Sequence, residues 1–240
     1  MHPQPIHHIK AKPHWFVKTL YFHHVCENIV HYTNIPPKAF ETYISFLAER
    51  FSFWTASEAF AAFKDGISSS GKLVLTFDDG YEDAYRNAIP ILSNYGIRAS
   101  FYLLPRFVGK SNTWNTERSY AANHMNWKQI VNLVNQGHDI GSHGMSHRSL
   151  IQLEETEIRD ELSNSKTILE RKLGVSIQGF SYPYGFVDAR VGRLTQELYQ
   201  FAFSSIKSQR DCWNNDRFSL QRKFLPIGAS QQELCAVLGL

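Results

Sequence analysis

Two adjacent acids, Asp78 and Asp79, stand directly after the run KLVLTF (72–77), which predicts a buried strand. Asp and Gly are ordinary turn residues, and Gly80 follows the pair, so a polar turn is one interpretation. The other interpretation is chemical, because a carboxylate can take a proton from a reacting group or coordinate a metal ion.

Two histidines, His143 and His147, are four residues apart in GSHGMSHRSL (141–150). In a helical turn or a tight loop this spacing brings both imidazoles to one side, and imidazole is the commonest metal ligand in proteins. Alone, the pair is more typical of solvated or capping histidines. With one carboxylate it forms a three-ligand set that leaves positions open for water and substrate, as hydrolytic metal sites require.

Short β-type runs alternate with helical runs along the whole chain, which predicts parallel βαβ units. The predicted strands lie at 16–22, 72–77, 98–104, 138–143, 177–185, 201–206 and 217–225, and the main helices at 36–50, 81–96, 126–137, 153–174 and 189–200. About seven such units predict an α/β barrel, in which chemistry collects at the carboxyl ends of the strands. Both the acid pair and His143 fall at such ends.

The composition indicates one domain without a nucleic-acid partner. At 240 residues and 43% hydrophobic, the chain can build one sizeable core. Its net charge is only +3, and the basic residues form no run. The three cysteines lie far apart and show no CxxC spacing, so they indicate neither a disulfide framework nor a zinc knuckle. No stretch has the length of a signal peptide or a membrane span, and we expect a cytoplasmic protein.

Three motifs, TFDDG (76–80), SHGMSH (142–147) and SYPYG (181–185), resemble in order and separation those of the polysaccharide deacetylases, a family of carbohydrate esterases. The likeness extends from about His23 to Arg222. It implies a single-domain, distorted seven-stranded (β/α) barrel that removes N-acetyl groups from sugars with the help of a metal ion. By the same resemblance, residues 1–15 are an N-terminal extension and residues 16–240 the catalytic domain.

The resemblance assigns roles to the acid pair and the histidines. Asp79, His143 and His147 would ligate a divalent metal, with zinc expected and cobalt or nickel as substitutes. Asp78 would be the general base that takes a proton from the attacking water.

The third motif would line the floor of the substrate pocket. Pro183, Tyr184 and Gly185 belong to it, and the resemblance implies that the backbone N–H of Tyr184 helps to hold the oxyanion. A Pro-Gly turn after a strand explains this stretch equally well without any chemistry.

The chain departs from the family pattern at Ser181, where many relatives carry an arginine that orients the base. A cation could come instead from Arg222, in the late strand SLQRKFLP (219–226). A surface position for Arg222 is the alternative.

The general acid must also come from an unusual place, because no histidine follows His147. The stretch TLYFHHV (19–25) resembles the N-terminal "YH" strand of a permuted subgroup that includes the poly-N-acetylglucosamine deacetylases. The match makes His23 the acid. Since successive strand residues point to opposite faces, His24 would pack or be solvated outside the barrel.

Several functions fit these residues. An N-deacetylase of N-acetylglucosamine-type sugars or polysaccharides is the leading hypothesis. A deformylase or deacetylase of a lipid-linked or nucleotide-linked sugar would keep the same site, and an inactive carbohydrate-binding barrel would need no Asp78. A metal-dependent phosphohydrolase is disfavoured, because the chain lacks a D-x-D pair and a phosphate-binding glycine loop at this site. The oligomeric state is not predicted.

Overall fold

A computed structural model describes residues 15–29, 33–112, 122–205, 213–214 and 216–240. The prediction of an N-terminal extension therefore lies, apart from Trp15, outside the described residues. The strands within these ranges are β1 Lys18–Phe22, β2 His24–Val25, β3 Asn34–Ile35, β4 Ser52–Trp54, β5 Lys72–Phe77, β6 Ser100–Leu103, β7 Asp139–Ser142, β8 Gly179–Ser181, β9 Phe201–Ser204 and β10 Leu220–Gln221.

Seven parallel strands follow one another around the molecule in the order β1-β5-β6-β7-β8-β9-β10, and β4 lies beside the first half of β5. The sheet closes because Leu20 of β1 pairs in parallel with Lys223, which follows β10. The backbone N–H of Tyr21 donates to the Lys223 carbonyl at 3.0 Å, and that of Lys223 donates to Thr19 at 2.9 Å. The predicted seven-stranded α/β barrel in a single domain is confirmed.

Helices cover the outside of the barrel. They are α1 Pro37–Ala48, α2 Ala56–Lys64, α3 Ile89–Asn94, α4 Trp127–Asn135, α5 Glu155–Leu173, α6 Ala189–Gln196 and α7 Gln231–Leu238. Their ends follow from local sequence. Asn126 and Gln129 form a capping box at the start of α4, and Gly174 ends α5 in the left-handed conformation.

The two faces of each strand face different surroundings, because side chains alternate along a strand. One set, which includes Leu20, Phe22 and Phe77, packs beneath the helices in the larger hydrophobic core. The other set points into the barrel, where Phe203 of β9 contacts the ring of Tyr102 of β6 across the interior at 5.7 Å. Aromatic rings therefore fill the barrel, and polar chemistry is confined to its carboxyl-terminal end.

The strands β2, β3 and β4 and the helix α2 were not predicted from the sequence. Strand β10 is shorter than the predicted 217–225. Within the predicted helix 81–96, a π-helical turn, Ala84–Ala88, precedes α3, whose second residue is Pro90. Because Pro90 has no N–H to donate to the preceding turn, the regular α-helical bonding pattern cannot pass through it. No helix of the described chain is long and apolar enough to cross a bilayer.

His138, immediately before β7, makes the stability of the fold depend on pH. It is buried, and its Nδ1 accepts the Ala99 N–H at 3.1 Å. Burial lowers the pKa of His138 to about 4. Since the unfolded chain has the ordinary, higher pKa, protons bind the unfolded state first as the pH falls.

We therefore expect the free energy of unfolding to fall as the pH drops from about 6.5 to about 4, with His138 contributing at most ~3 kcal/mol, since one pKa unit corresponds to ~1.4 kcal/mol. Chemical denaturation at several pH values would measure this loss. The variant His138→Asn keeps an acceptor near Nδ1 but cannot be protonated, so its free energy of unfolding should depend less steeply on pH. Equal pH slopes in the two proteins would contradict this role of His138.

Candidate active site

The residues predicted to do chemistry come from the ends of different strands and meet at the carboxyl-terminal mouth of the barrel. Asp78 follows β5, His143 follows β7 and Arg222 follows β10. Each continues the inward-facing set of its strand, two residues after Thr76, Gly141 or Leu220 respectively. The two-residue repeat of the strands therefore aims these side chains at one point.

Asp79, His143 and His147 form one buried group. The Asp79 Oδ1 lies 3.2 Å from His143 Nε2 and 3.3 Å from His147 Nε2. Among the described residues, this is the group of His, Cys, Asp and Glu whose ligand atoms lie close enough together to hold a metal ion.

The spacing and tautomer of this group fit a divalent metal. Ligand atoms bonded to a four-coordinate ion at about 2.1 Å lie about 3.4 Å apart, close to the observed separations. His143 donates its Nδ1–H to the Ser181 carbonyl oxygen at 2.7 Å, which leaves the lone pair of Nε2 directed towards Asp79. Such a second hydrogen bond is what orients a metal-binding histidine.

Three non-glycine residues in the described chain have a positive φ: Asp79 at 67°, His147 at 60° and Tyr184 at 59°. They lie on three separate loops; Asp79 and His147 belong to the candidate metal group, and Tyr184 borders it. This backbone conformation is uncommon outside glycine and costs free energy, so it persists only where the surroundings enforce it. At Asp79 it turns the side chain away from that of Asp78, and the adjacent acids face different partners.

Asp78 is held by Arg222 in a buried, two-pronged ion pair. The guanidinium donates to Asp78 Oδ1 at 2.8 Å and to Oδ2 at 2.6 Å, and also to Thr76 at 3.0 Å and Ser181 at 2.9 Å. Arg222 is only 8% exposed, so the alternative of a surface position is wrong. The guanidinium therefore lies directly beside Ser181.

Charges on neighbouring residues determine the ionisation of Asp78, Asp79 and His143, although all three are buried. Burial opposes the charged form of Asp78, but Arg222 outweighs it and lowers the pKa of Asp78 below its ordinary value. For Asp79, burial is likewise outweighed, here by His147 and His143, and its pKa is well below the ordinary range. The pKa of His143 is raised against the effect of its burial, chiefly by Asp78.

The adjacent histidines His23 and His24 face different partners, as alternation predicts. The charges of Asp79 and Asp78 act on His23, but burial dominates and lowers its pKa to about 4. Its Nδ1 is buried without a hydrogen-bond partner. His24 is fully buried, with its Nδ1 2.7 Å from Asp83 and its ring stacked on Tyr81, so it packs against its neighbours and is not solvated.

Asp83, which the sequence did not single out, fixes the segment that carries His23. One carboxylate oxygen contacts His24, and the other accepts the Val25 backbone N–H at 2.9 Å. Asn87 donates to the Val25 carbonyl at 2.7 Å. The spacing of Asp83 and Asn87, one helical turn apart and directly after the acid pair, was the available signal.

Pro183, Tyr184 and Gly185 form a tight turn after β8, in which the Gly185 N–H donates to the Tyr182 carbonyl at 2.8 Å. The ring of Tyr184 is 51% exposed, and its centroid lies 4.6 Å from that of the His147 ring. Gly185 has a φ of 73°, and a Cβ there would lie 2.3 Å from the Cβ of Ser205. Position 185 therefore requires glycine, and the turn borders the candidate metal group.

A family model described as polysaccharide deacetylase matches residues 65–201, more than half of the chain. The chain is similar to the poly-beta-1,6-N-acetyl-D-glucosamine N-deacetylase of Staphylococcus aureus, with 25% identity over 192 residues that cover 76% of this chain and 64% of that protein. It is also similar to the peptidoglycan-N-acetylglucosamine deacetylase of Bacillus cereus, with 29% identity over 134 residues that cover 55% of this chain and 42% of that protein. The chain thus spans less than two thirds of these relatives.

Solved structures share the fold. The Streptococcus pyogenes deacetylase PplD in complex with acetate superposes with a TM-score of 0.79 at 22% identity, covering 92% of this chain and 97% of that one. IcaB from Ammonifex degensii superposes with a TM-score of 0.77 at 20% identity, covering 93% and 96%. At this identity the likeness demonstrates the barrel alone.

The Arg222–Asp78 pair generates a prediction on the pH dependence of hydrolysis. Removing the cation in Arg222→Ala should raise the pKa of Asp78 and move the acidic limb of the pH–rate profile to higher pH. Bound metal, measured by elemental analysis, should be unchanged. Arg217→Ala, which removes an exposed arginine of the same segment, is the control. A profile unaltered by Arg222→Ala would show that Arg222 does not act on the base.

Proposed function

The chain belongs to the polysaccharide deacetylase family, and from this premise we propose that it is a metal-dependent hydrolase that removes N-acetyl groups from a polysaccharide of the N-acetylglucosamine type. The observation that carries the proposal is the buried group of Asp79, His143 and His147, beside a separately held carboxylate, Asp78. An inactive binding barrel has no need of that second carboxylate. Residues 16–240 would be the catalytic domain.

The proposed substrate rests on what the names of the relatives have in common. Both the Staphylococcus aureus and the Bacillus cereus proteins are named as deacetylases of N-acetylglucosamine in a polymer. PplD is described as a deacetylase in complex with acetate, which is the product that an N-acetyl hydrolase releases. No observation favours a lipid-linked or nucleotide-linked sugar. The expected cytoplasmic location stays a prediction.

Asp79, His143 and His147 would hold the ion, for which we propose Zn²⁺, with Co²⁺ or Ni²⁺ as substitutes. When bound, such an ion polarises the acetyl carbonyl and lowers the pKa of water. Asp78 lies outside the ligand group and would take the proton of the attacking water. Since Arg222 keeps the pKa of Asp78 low despite its burial, the base is ionised at neutral pH.

The two remaining roles are to stabilise the oxyanion and to protonate the leaving amine. The backbone N–H of Tyr184 would donate to the oxyanion, with Pro183 and Gly185 fixing its turn. His23 would donate a proton to the leaving amine. Because burial keeps its imidazole neutral at pH 7, His23 would take up a proton from solvent as negative charge develops on the substrate beside it, and would pass that proton to the amine nitrogen as the C–N bond breaks.

Acetate release tests the function directly. The protein, loaded with Zn²⁺, would be assayed on β-1,6- and β-1,4-linked N-acetylglucosamine oligomers and on sugar nucleotides, with metal analysis of the same sample. We expect release from oligomers and little from nucleotides. A metal-loaded protein that deacetylates none of them would overturn the proposal.

The ligand assignment predicts that Asp79→Ala, His143→Ala and His147→Ala each lose bound metal and activity together. Asp78→Asn should behave differently, because it keeps size and hydrogen bonding but cannot take a proton. Its metal content should stay at the wild-type level while turnover falls by about 10²- to 10⁴-fold. Full metal occupancy in the Asp79 variant would refute its assignment as a ligand.

The acid assignment predicts that His23→Ala retains metal but loses about 10²- to 10⁴-fold in amide hydrolysis. Hydrolysis of an activated acetyl ester should suffer less, because its leaving group needs no proton. His24→Asn, which can still donate a hydrogen bond towards Asp83, is the matched control and should mainly lower thermal stability. The reverse outcome, with His24 essential and His23 nearly silent, would exclude His23 as the acid.

A further inference from the structure

The loop between the two histidine ligands is bound to a buried carboxylate that no motif includes. Glu161 in α5 is 7% exposed. Its Oε2 accepts the backbone N–H of Met145 at 2.8 Å and that of Ser146 at 2.9 Å, and its Oε1 accepts the Ser146 hydroxyl. Three donors from two consecutive residues therefore converge on one side chain.

Regular secondary structure does not fix the conformation of this loop. Residues 143–149 belong to no helix or strand, and within that loop Gly144 has a φ of 83° and His147 a φ of 60°. A Cβ on Gly144 would lie 3.3 Å from Glu161 Oε2, which shows how closely the backbone wraps the carboxylate. With hydrogen bonds to two consecutive residues, the Glu161 carboxyl group restrains the middle of this turn.

Glu161 holds the part of the loop that lies between the two histidine ligands. Met145 and Ser146 lie between His143 and His147, so fixing their amides fixes the spacing of the two imidazoles. His143 is also fixed by the Ser181 carbonyl, and His147 directly follows Ser146, which Glu161 holds by its N–H and its hydroxyl. Glu161 itself is not one of the candidate ligands.

We propose that Glu161 is a positioning residue that holds the His143–His147 loop ready to bind the metal before the ion arrives. The inference rests on the proposed function only in that Asp79, His143 and His147 bind a metal. Without the carboxylate, the loop would have to be ordered by the ion itself, and the free energy of that ordering would be lost from metal affinity.

The test measures Zn²⁺ affinity on purified, metal-free protein by competition with a chromophoric chelator, without any activity assay. Glu161→Gln keeps the shape of the side chain, but its NH₂ group cannot accept a hydrogen bond and would oppose at least one of the three donors. We expect the Zn²⁺ dissociation constant to rise by about 10- to 100-fold, as is typical when an outer partner of a metal ligand is removed. Ser146→Ala removes one donor and should weaken binding by a smaller factor.

Asp139→Asn is the matched control. Asp139 is a half-buried carboxylate that likewise has three donors, namely the Ser57 N–H and the hydroxyls of Ser57 and Ser100. It lies at the start of β7, at the opposite end of this strand from His143. Its loss, like that of Glu161, should lower the melting temperature, but it should leave the Zn²⁺ dissociation constant unchanged.

The outcomes separate this inference from the proposed function. Weakened binding in Glu161→Gln and, to a smaller extent, in Ser146→Ala, with wild-type binding in Asp139→Asn, would support the role of Glu161. Wild-type affinity in Glu161→Gln would overturn it and leave the function standing, as would an equal loss in Asp139→Asn. A wild-type protein that takes up no Zn²⁺ would overturn both. If Glu161→Gln does not fold, an unchanged affinity in Ser146→Ala overturns the inference.

Discussion

A buried ion pair between Arg222 and Asp78 connects the last strand of the barrel with β5 and, through Ser181, with β8. Such a pair gains little over an apolar contact, but removing one partner leaves a buried charge alone and typically costs ~3–5 kcal/mol. The arrangement of the barrel mouth depends on it. While Arg222 neutralises Asp78, a second acid can occupy the next position and turn towards the histidines. Without the arginine, two adjacent buried carboxylates would repel each other and one would take up a proton.

The alternation of side chains along parallel strands explains how such a site can be built at all. Inward positions in the lower part of the barrel carry large rings such as Tyr102 and Phe203, which exclude water from beneath the polar groups. The next inward positions carry Asp78, His143 and Arg222. Left-handed backbone at Asp79, His147 and Tyr184 then adds groups that strand geometry alone would direct elsewhere. The unfavourable conformations are offset by fixed partners around them, of which Glu161 is one.

Much of this could be predicted from the sequence, and the misses have physical reasons. The barrel followed from alternating strand and helix patterns, and the acid pair and histidines followed from their places at strand ends. Strand β4 was missed because SFW is too short to show a period. The apolar pattern around β10 extends over 217–225, but only Leu220 and Gln221 pair with β9. Glu161 was overlooked because an acid in a charged helix resembles a solvated one. Yet it shares the buried stripe of Ile158 and Leu162, where a carboxylate needs a partner.

The closure between Leu20 and Lys223 makes the first and last strands of the barrel neighbours in space although about two hundred residues separate them. His23 follows the first strand and Arg222 follows the last strand. The groups proposed to donate the proton and to orient the base therefore both lie beside the strand contact whose partners are farthest apart in sequence. Forming that contact has the greatest loop-closure entropy cost in the barrel. A chain in which most of the strands have already assembled would still be inactive. Local separation of the first and last strands would inactivate the site without unfolding the rest of the barrel. In this arrangement the protein can be active only when the whole barrel has formed.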